Sequence, residues 1–470
     1  MIDALSDIIA DSASVLTDGT KRRRVQDVWQ ADADHRGEIG RALVLACLDR
    51  DVSGVSIYAS LVFGPAVPVF FPATLNPAAL QTFLVSFPAN YLILPSASSA
   101  IPAGYSPAFA WGGYQVFAAD RPHQHDLLPG LAMLATTSGS TGSAKVIRQS
   151  AKNIVVNTQQ IITALGLNDK TIAATTLPIF YTFGMSTVNC QIFTGGTLVC
   201  SALSVTQKAF LDLLVSQHVT LFSGVPQTYE QLAGMRFFKS RYASTVEKFL
   251  QAGGKMSSAL ETAMRKTCAA SGQQFYVMYG QAEATTRMSI LPAEDFLTCP
   301  GSAGLALPGG TFSIVDEHGK PLAHGREGEI LYHGPNVTLG YAQNAAELAL
   351  PDRFNGVLRT GDLGILDKRG NITITGRLKR FAKVNGHSIN LAHLESLIEA
   401  SLGAPVVCFE SANQVHIATT QMIDVMALEE VLSTRTDLKP RETRLHYIDD
   451  LPALASGKID YAALKTQLAA

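Results

Sequence analysis

The chain has 470 residues, 47% of them apolar and 16% charged, with a formal net charge of −2. That composition suits a large buried core and excludes disorder, and the near-neutral charge excludes a global field that would draw the chain to nucleic acid or an anionic membrane. At ~150 residues per domain, the length allows two or three domains.

The N-terminus, MIDALSDIIADS, carries early acids and lacks a basic segment before a long apolar one, so it does not read as a signal peptide. A cytoplasmic protein is expected. Lys21, Arg22, Arg23 and Arg24 form one dense basic patch, read as a solvated turn. From about residue 40 to 300 short β-rich runs alternate with segments of helical spacing. The runs are VSIYASLVF, YLILP, TIAATTL, GTLVCSA, TLFSGV and QFYVMYG; the helical segments include KNIVVNTQQIITALG and TQKAFLDLLVSQH. Such alternation predicts parallel sheets covered by helices. The most apolar stretch, ASLVFGPAVPVFFPATL, is interrupted by Pro65, Pro68 and Pro72, too often for a membrane span. SASSAIPAGYSPAFAWGG has no clear period and reads as a surface connection. Cys47, Cys190, Cys200, Cys268, Cys299 and Cys408 form no C-x-x-C pair, and neither they nor the histidines show a metal-ligand spacing. Buried, inert thiols are expected.

After residue 300 the texture changes. TFSIVDEHGKPLAHGREGEILYHG reads as two strands around a turn, and GILDKRGNITITGR as a hairpin turning at Lys368–Asn371. KRFAKVNGHSINLAHLESLIEASLG reads as a strand, a glycine turn and an amphipathic helix with Leu391, Leu394, Leu397 and Ile398 on one face. A boundary near Arg377–Arg380 follows. The expected fold is α/β, with a large N-terminal domain of helix-covered β-sheets (1–378) and a small α+β C-terminal domain (379–470).

The stretch LATTSGSTGSAKVIR, Leu134–Arg148, looks suited to phosphates. It is not the P-loop signature, because Ser143 and Ala144 separate Gly142 from Lys145. Alone it reads equally well as a plain surface loop. Four later segments in fixed order change that: YGQAE (Tyr279–Glu283), LRTGDLG (Leu358–Gly364), GRLKRFAKVNGHSI (Gly376–Ile389) and LPALASGKID (Leu451–Asp460). Together they resemble the adenylate-forming family of acyl- and aryl-CoA synthetases, peptide-synthetase adenylation domains and luciferases. The resemblance covers nearly all of the chain from about residue 130; residues 1–130 are less distinctive.

The resemblance implies two steps. A carboxylate attacks the α-phosphate of ATP and expels pyrophosphate; a thiol then displaces AMP. An anion attacking a polyanion needs screening charge. Thr137, Ser138, Gly139, Ser140, Thr141, Gly142 and Lys145 would supply backbone N–H groups, hydroxyls and an ammonium to the phosphates. The family usually has proline where this chain has Ala144, and threonine where it has Ala282. Glu283 would be the magnesium-side carboxylate, sufficient with ATP oxygens because Mg2+ keeps several waters. Tyr279 would lie near the adenine, the backbone of Gly253 and Gly254 would line it, and Gly280 would belong to the same ATP site. Asp362 would hold the ribose hydroxyls, since a carboxylate accepts two hydrogen bonds from a cis-diol; Arg377 would support the ribose or α-phosphate. Lys458 would bridge the carboxylate and α-phosphate, and Lys383 would serve the second half-reaction. The family's C-terminal domain rotates between the two steps, which here places a hinge at Lys379.

In LPIFYTFGMS, similar to the family's acid-pocket segment, Phe183-Gly184-Met185-Ser186 stands where α-amino-acid adenylation domains have Phe-Asp-x-Ser. The carboxylate that would pair with a substrate ammonium is missing, which disfavours α-amino acids. Tyr181, Phe183, Gly184 and Val225 would line the pocket, and an aryl acid such as a hydroxybenzoate, or an acyl chain, is expected. The acceptor would be the phosphopantetheine thiol of free coenzyme A or of a stand-alone acyl carrier protein. A luciferase-like monooxygenase and a non-catalytic nucleotide-binding protein are the rival readings. No nucleic-acid partner and no membrane insertion are expected.

Overall fold

A computed structural model describes the chain except residues 1, 75–76, 99–100, 137–144, 379, 385–386, 437, 455 and 469–470. Two large mixed sheets dominate. The nine-stranded sheet has a parallel centre in the order Gln274–Tyr279, Lys248–Gln251, Leu221–Gly224, Ile172–Ala174, Thr197–Val199 and Val15–Thr17. Antiparallel strands flank it: Ser289–Leu291 and Leu305–Ala306 at one edge, Arg22–Arg24 at the other. The eight-stranded sheet has Leu131–Thr136, Val67–Pro72, Leu43–Leu48 and Tyr91–Pro95 in parallel at its centre. Its antiparallel flanks include Val146–Ser150 and Tyr341–Ala342.

One core joins these sheets. Val44 and Ala46 of one and Ala173, Leu198 and Leu250 of the other pack with Leu5, Ile57, Ile154, Ile161 and Val188 from four helices. The helix Ala151–Leu165 shows how sequence fixes such an element. Ser150 and Asn153 form a reciprocal capping box at its start, and Gly166 closes it in the left-handed conformation. Its buried face runs Ile154, Asn157, Thr158, Ile161 and Leu165, at helical spacing.

A four-stranded antiparallel sheet follows: Thr311–Val315, Glu327–His333, Val357–Leu366 and Ile372–Arg377. Beyond it lie the hairpin Phe381–Val384/His387–Asn390, the helix Leu391–Leu402, a three-stranded sheet and two further helices. Ala382, Val384, Leu394, Ile398, Cys408, Ile417 and Leu432 form a core whose members all lie beyond residue 380. On its two sides Lys379 is bracketed by anchors. The Leu378 N–H donates to the Gly361 carbonyl of the four-stranded sheet at 2.8 Å. The Arg380 guanidinium grips both carboxylate oxygens of Glu395, at 3.0 and 2.7 Å. Lys379 itself lies outside the described residues.

Three expectations from sequence are corrected. VSIYASLVF is not a strand but the helix Val52–Val62, capped by Asp51, whose carboxylate accepts the Gly54 N–H at 2.7 Å. Every residue from Gly54 to Val62 is buried, so no polar face marks the helical period, and the β-branched content misleads. The presumed surface connection contains the strand Tyr105–Trp111, at the outer edge of the eight-stranded sheet. Edge position leaves most of it exposed and hides any alternation, and Pro107 sits beside an irregularity in the pairing, where proline is tolerated. The basic patch is no mere turn, since Arg22–Arg24 form an exposed antiparallel edge strand.

Cys299 is half-buried and the other five cysteines are buried and unbridged. Burial pushes the thiols of Cys47 and Cys190 up to about 12, so they stay protonated and inert. Among the described residues no helix is long and apolar enough to cross a membrane.

Candidate active site

The predicted residues converge on the carboxyl ends of the parallel strands in the nine-stranded sheet, where open α/β sheets bind ligands. Val225 follows Leu221–Gly224 and precedes the helix Pro226–Gly234. Gly253 follows Lys248–Gln251, and Gly280 follows Gln274–Tyr279. Tyr181 precedes the helix Thr182–Thr194, which carries Phe183 and Gly184. Gly253 has φ +91°, and a Cβ there would lie 2.7 Å from the Tyr181 hydroxyl and 3.1 Å from Val225 Cγ1. Only glycine fits this conformation and this approach without strain. Gly184 answers to packing, since a Cβ would meet the Pro178 carbonyl at 2.1 Å.

Asp362, 2% exposed, is the hub of a polar cluster. Its Oδ2 accepts the Tyr279 hydroxyl and the Gln281 amide, each at 2.6 Å. Its Oδ1 accepts Arg377 Nε at 2.5 Å. The register places Asp362 directly opposite Arg377 on adjacent antiparallel strands, where opposite charges pair best. Burial and the adjacent Asp362 carboxylate hold the Tyr279 phenol well above its usual range, so it stays a donor.

A second cluster carries the proposed metal-side carboxylate. Glu283 Oε1 accepts the Tyr341 hydroxyl at 2.8 Å, and Lys145 Nζ sits 3.3 Å from the centre of the Tyr341 ring. Pairing of Tyr341–Ala342 against Ile147 and Val146 brings this tyrosine beside Lys145. Glu283 is held by its backbone: its carbonyl accepts both the N–H and the hydroxyl of Thr338, each at 3.0 Å. Thr285, two residues on, has φ +66°, a strained value for a β-branched residue, of the kind that collects at functional sites. Among the described residues no group of three or more His, Cys, Asp or Glu could hold a metal ion. One carboxylate would leave most positions of a Mg2+ ion to phosphate oxygens and water, the arrangement this ion favours.

Lys458 enters the same space from the C-terminal body. Its carbonyl accepts the Leu454 N–H at 2.7 Å, closing a turn, and Gly457 within that turn has φ +77°. Lys458 Nζ lies 5.4 Å from the Tyr181 ring centre, and its Cε lies 3.7 Å from the position of a Gly253 Cβ. Burial and the nearby Arg377 pull its pKa below the ordinary lysine value, with Glu283 and Asp362 opposing. Tyr181, Val225, Gly253, Glu283, Asp362, Arg377 and Lys458 thus share one neighbourhood.

Other predicted residues stand apart or cannot be placed. Thr137, Ser138, Gly139, Ser140, Thr141 and Gly142 lie outside the described residues; Lys145 alone of that loop is placed. The Lys383 backbone runs in the strand Phe381–Val384, and its side chain is outside the description. The Gly254 carbonyl accepts the Gln251 amide at 2.8 Å. Arg148, at the end of the loop first singled out, is structural: its guanidinium donates to the carbonyls of Leu339, Leu350 and Pro351. Tyr341 and Gln281 were not anticipated. An open cleft of about 460 Å³ elsewhere, lined by Asp49, Asp51 and Tyr114, offers carboxylates and, among the described residues that line it, no lysine or arginine, which does not suit a polyphosphate.

The family described as AMP-binding enzyme matches residues 95–342, more than half of the chain. The chain belongs to this family, within the adenylate-forming superfamily. The chain is 25% identical over 342 residues to a 2-succinylbenzoate–CoA ligase of Enterococcus faecalis, covering 71% of this chain and 68% of that protein. Its fold is similar to ATP-bound MatB from Rhodopseudomonas palustris, with TM-score 0.76, 21% identity and 99% and 98% of the two chains covered. It is likewise similar to O-succinylbenzoate coenzyme A synthetase (MenE) from Bacillus subtilis in complex with AMP, with TM-score 0.76, 20% identity and 99% and 97% covered.

Proposed function

We propose that this protein is an ATP-dependent acid–thiol ligase: it joins an aryl or acyl carboxylic acid to AMP and then passes the acyl group to a phosphopantetheine thiol. The observation that carries the reading is the seat of Lys458 against Tyr181 and Gly253, in the neighbourhood of Glu283, Asp362 and Arg377. A protein that only binds nucleotide has no need of a second body's ammonium in that place. The relative named above acts, by its name, on an aryl acid and coenzyme A, and the structural neighbours hold ATP and AMP.

In this reading the two bodies are residues 1–378 and 379–470, with Lys379 as the hinge between the anchors at Leu378 and Arg380. Asp362 binds the ribose. Three of its roughly four acceptor positions are already taken by protein donors, so a diol displaces the Tyr279 hydroxyl or the Gln281 amide from Oδ2. Lys145 and Arg377 screen the phosphates. Glu283 would hold Mg2+, which when bound neutralises phosphate charge. Lys458 donates to the reacting carboxylate and the α-phosphate, where negative charge gathers as the carboxylate oxygen bonds to phosphorus and pyrophosphate leaves. Lys383 belongs to the second step, after the smaller body has turned. Tyr181, Val225 and Phe183 wall the acid site. Burial pushes the Tyr181 phenol up to about 12, so it stays neutral there.

Tyr341 is a positioning residue in this scheme. Tyr341→Phe is expected to raise the KM for ATP about tenfold, in the range seen when a partner of a metal-ligating group is lost. The thermal midpoint and the KM for the acid should hardly move. Steady-state kinetics at saturating acid measure this, and an unchanged KM for ATP would remove the role.

The proposal is tested by AMP and thioester formation across a panel of aryl, acyl and amino acids, each with coenzyme A or a phosphopantetheinylated carrier protein. At least one aryl or acyl acid should yield a thioester and no α-amino acid should. ATP bound tightly with no turnover of any acid would favour the nucleotide-binding reading.

A further inference from the structure

Arg287 is 2% exposed, yet among the described residues its Nε and Nη1 have no hydrogen-bond partner. The guanidinium carbon stands 4.9 Å from the centre of the Phe183 ring, against the wall of the proposed acid site. The groups that act on its charge are the Cys190 thiol and the Tyr181 phenol, and burial keeps both neutral by pushing each up to about 12. Among the described residues no carboxylate forms an ion pair with it. The backbone cannot carry the side chain elsewhere, because two buried asparagines clamp it. The Asn157 amide donates to the Arg287 carbonyl at 2.9 Å and the Asn336 amide does so at 3.0 Å. The neighbouring Thr286 hydroxyl donates to the Thr182 carbonyl at 3.2 Å, tying this segment to the helix that carries Phe183.

A buried charge without a counter-ion is among the most costly features a core can hold, and the face of Phe183 offsets only part of the cost. A leucine or methionine would fill the same volume without it. A buried polar group without a partner calls for one, and beside the Phe183 wall of the proposed acid site a ligand can supply it. Lys458 Nζ stands 5.4 Å from the centre of the Tyr181 ring and the Arg287 guanidinium 4.9 Å from that of Phe183, and the two rings lie 6.3 Å apart, edge to face. The acid site is therefore flanked by two cations. The first serves the reacting carboxylate, and the second is left for another anionic group on the same molecule. A guanidinium offers a planar fork of N–H donors that matches a carboxylate in two places.

We propose that Arg287 binds a second carboxylate of the substrate, so that the enzyme activates dicarboxylic acids in preference to their monocarboxylic counterparts. This rests on the ligase reading above and sharpens its substrate class. Arg287 is a specificity residue here and takes no part in bond making. It also opposes α-amino acids, because an ammonium would meet a cation.

The test pairs each diacid with the analogue that has an amide or methyl ester in place of the remote carboxylate. Acid-dependent exchange of labelled pyrophosphate into ATP is read for the wild-type protein, Arg287→Met and Arg287→Lys. Calorimetry of each acid with ATP analogue present reads binding without turnover. The wild-type protein should prefer the diacid at least 100-fold in kcat/KM. Arg287→Met should lose that preference by lowering diacid use while keeping or improving use of the neutral analogue, with the KM for ATP and the thermal midpoint held. Arg287→Lys should retain part of the preference. Equal use of diacid and analogue by the wild-type protein, or an equal loss of both in Arg287→Met, would overturn the proposal and leave the ligase reading intact. Diacid binding that needs Arg287, without any exchange, would instead sink the ligase reading and leave the carboxylate site standing.

Discussion

Lys458→Ala should slow acid-dependent pyrophosphate release by about 100- to 1,000-fold, while thioester formation from preformed acyl-AMP continues at close to the wild-type rate. The magnitude follows from charge. Two unit charges ~4 Å apart interact by about 4 kcal/mol at an effective dielectric of ~20, and each ~1.4 kcal/mol lost from the transition state slows the step tenfold. The ammonium is needed when the carboxylate meets the α-phosphate, and it has no part once the adenylate exists. The variant should fold normally, because the Leu454 N–H bonds to the backbone carbonyl of residue 458 and not to its side chain. The same site sets a pH dependence. Burial and Arg377 lower the Lys458 pKa from the ordinary value of 10.5. A lysine that works as the ammonium loses activity as pH rises through its pKa, so adenylation should fall off on the alkaline side at a lower pH than an ordinary lysine would dictate. A single-turnover rate profile for the first step reads this directly, and a Lys458→Arg variant should shift the alkaline limb upward.

The second large effect is expected at Asp362. Asp362→Ala should lower kcat/KM for ATP by about 100-fold, the loss of two charge-assisted hydrogen bonds to a diol. It should also destabilise the fold by about 1–3 kcal/mol, because the Tyr279 hydroxyl and the Gln281 amide lose a buried acceptor. The Arg377 contribution is discounted, since that side chain is 56% exposed and water can take the place of the carboxylate. Asp362→Asn keeps the shape but turns an amide N–H₂ toward donors on one side, so it should fall between the two. Thermal midpoints separate the structural loss from the nucleotide loss. A folded Asp362→Ala protein with an unchanged KM for ATP would contradict the assignment of the ribose site.

Much of this was legible along the chain because the chemistry sits in short, ordered segments. Glu283, Asp362 and Lys458 each lie in a motif whose neighbours mark it, and the alternation of strands and helices predicts the parallel sheets. What escaped is what depends on contacts between distant segments. Tyr341 reaches Lys145 only because its strand pairs with the strand after the loop, a register that no local pattern reveals. Gln281 stands inside a recognised motif, but its bond to Asp362 joins residues 81 apart in sequence. Arg287 lies four residues beyond Glu283, and its lack of a counter-charge among the described residues becomes visible only once the core around Phe183 has closed. The helix Val52–Val62 was hidden for the opposite reason: burial on every side erased the periodicity by which helices are recognised.

The central claim is that an acid and ATP react in the space shared by Tyr181, Asp362 and Lys458. Exchange of labelled pyrophosphate into ATP tests it most directly, because it reads the first step alone and needs no acceptor. The account predicts exchange that requires a carboxylic acid and falls by at least 100-fold in Lys458→Ala. Exchange of equal rate in that variant, at the same acid and ATP concentrations, would contradict it.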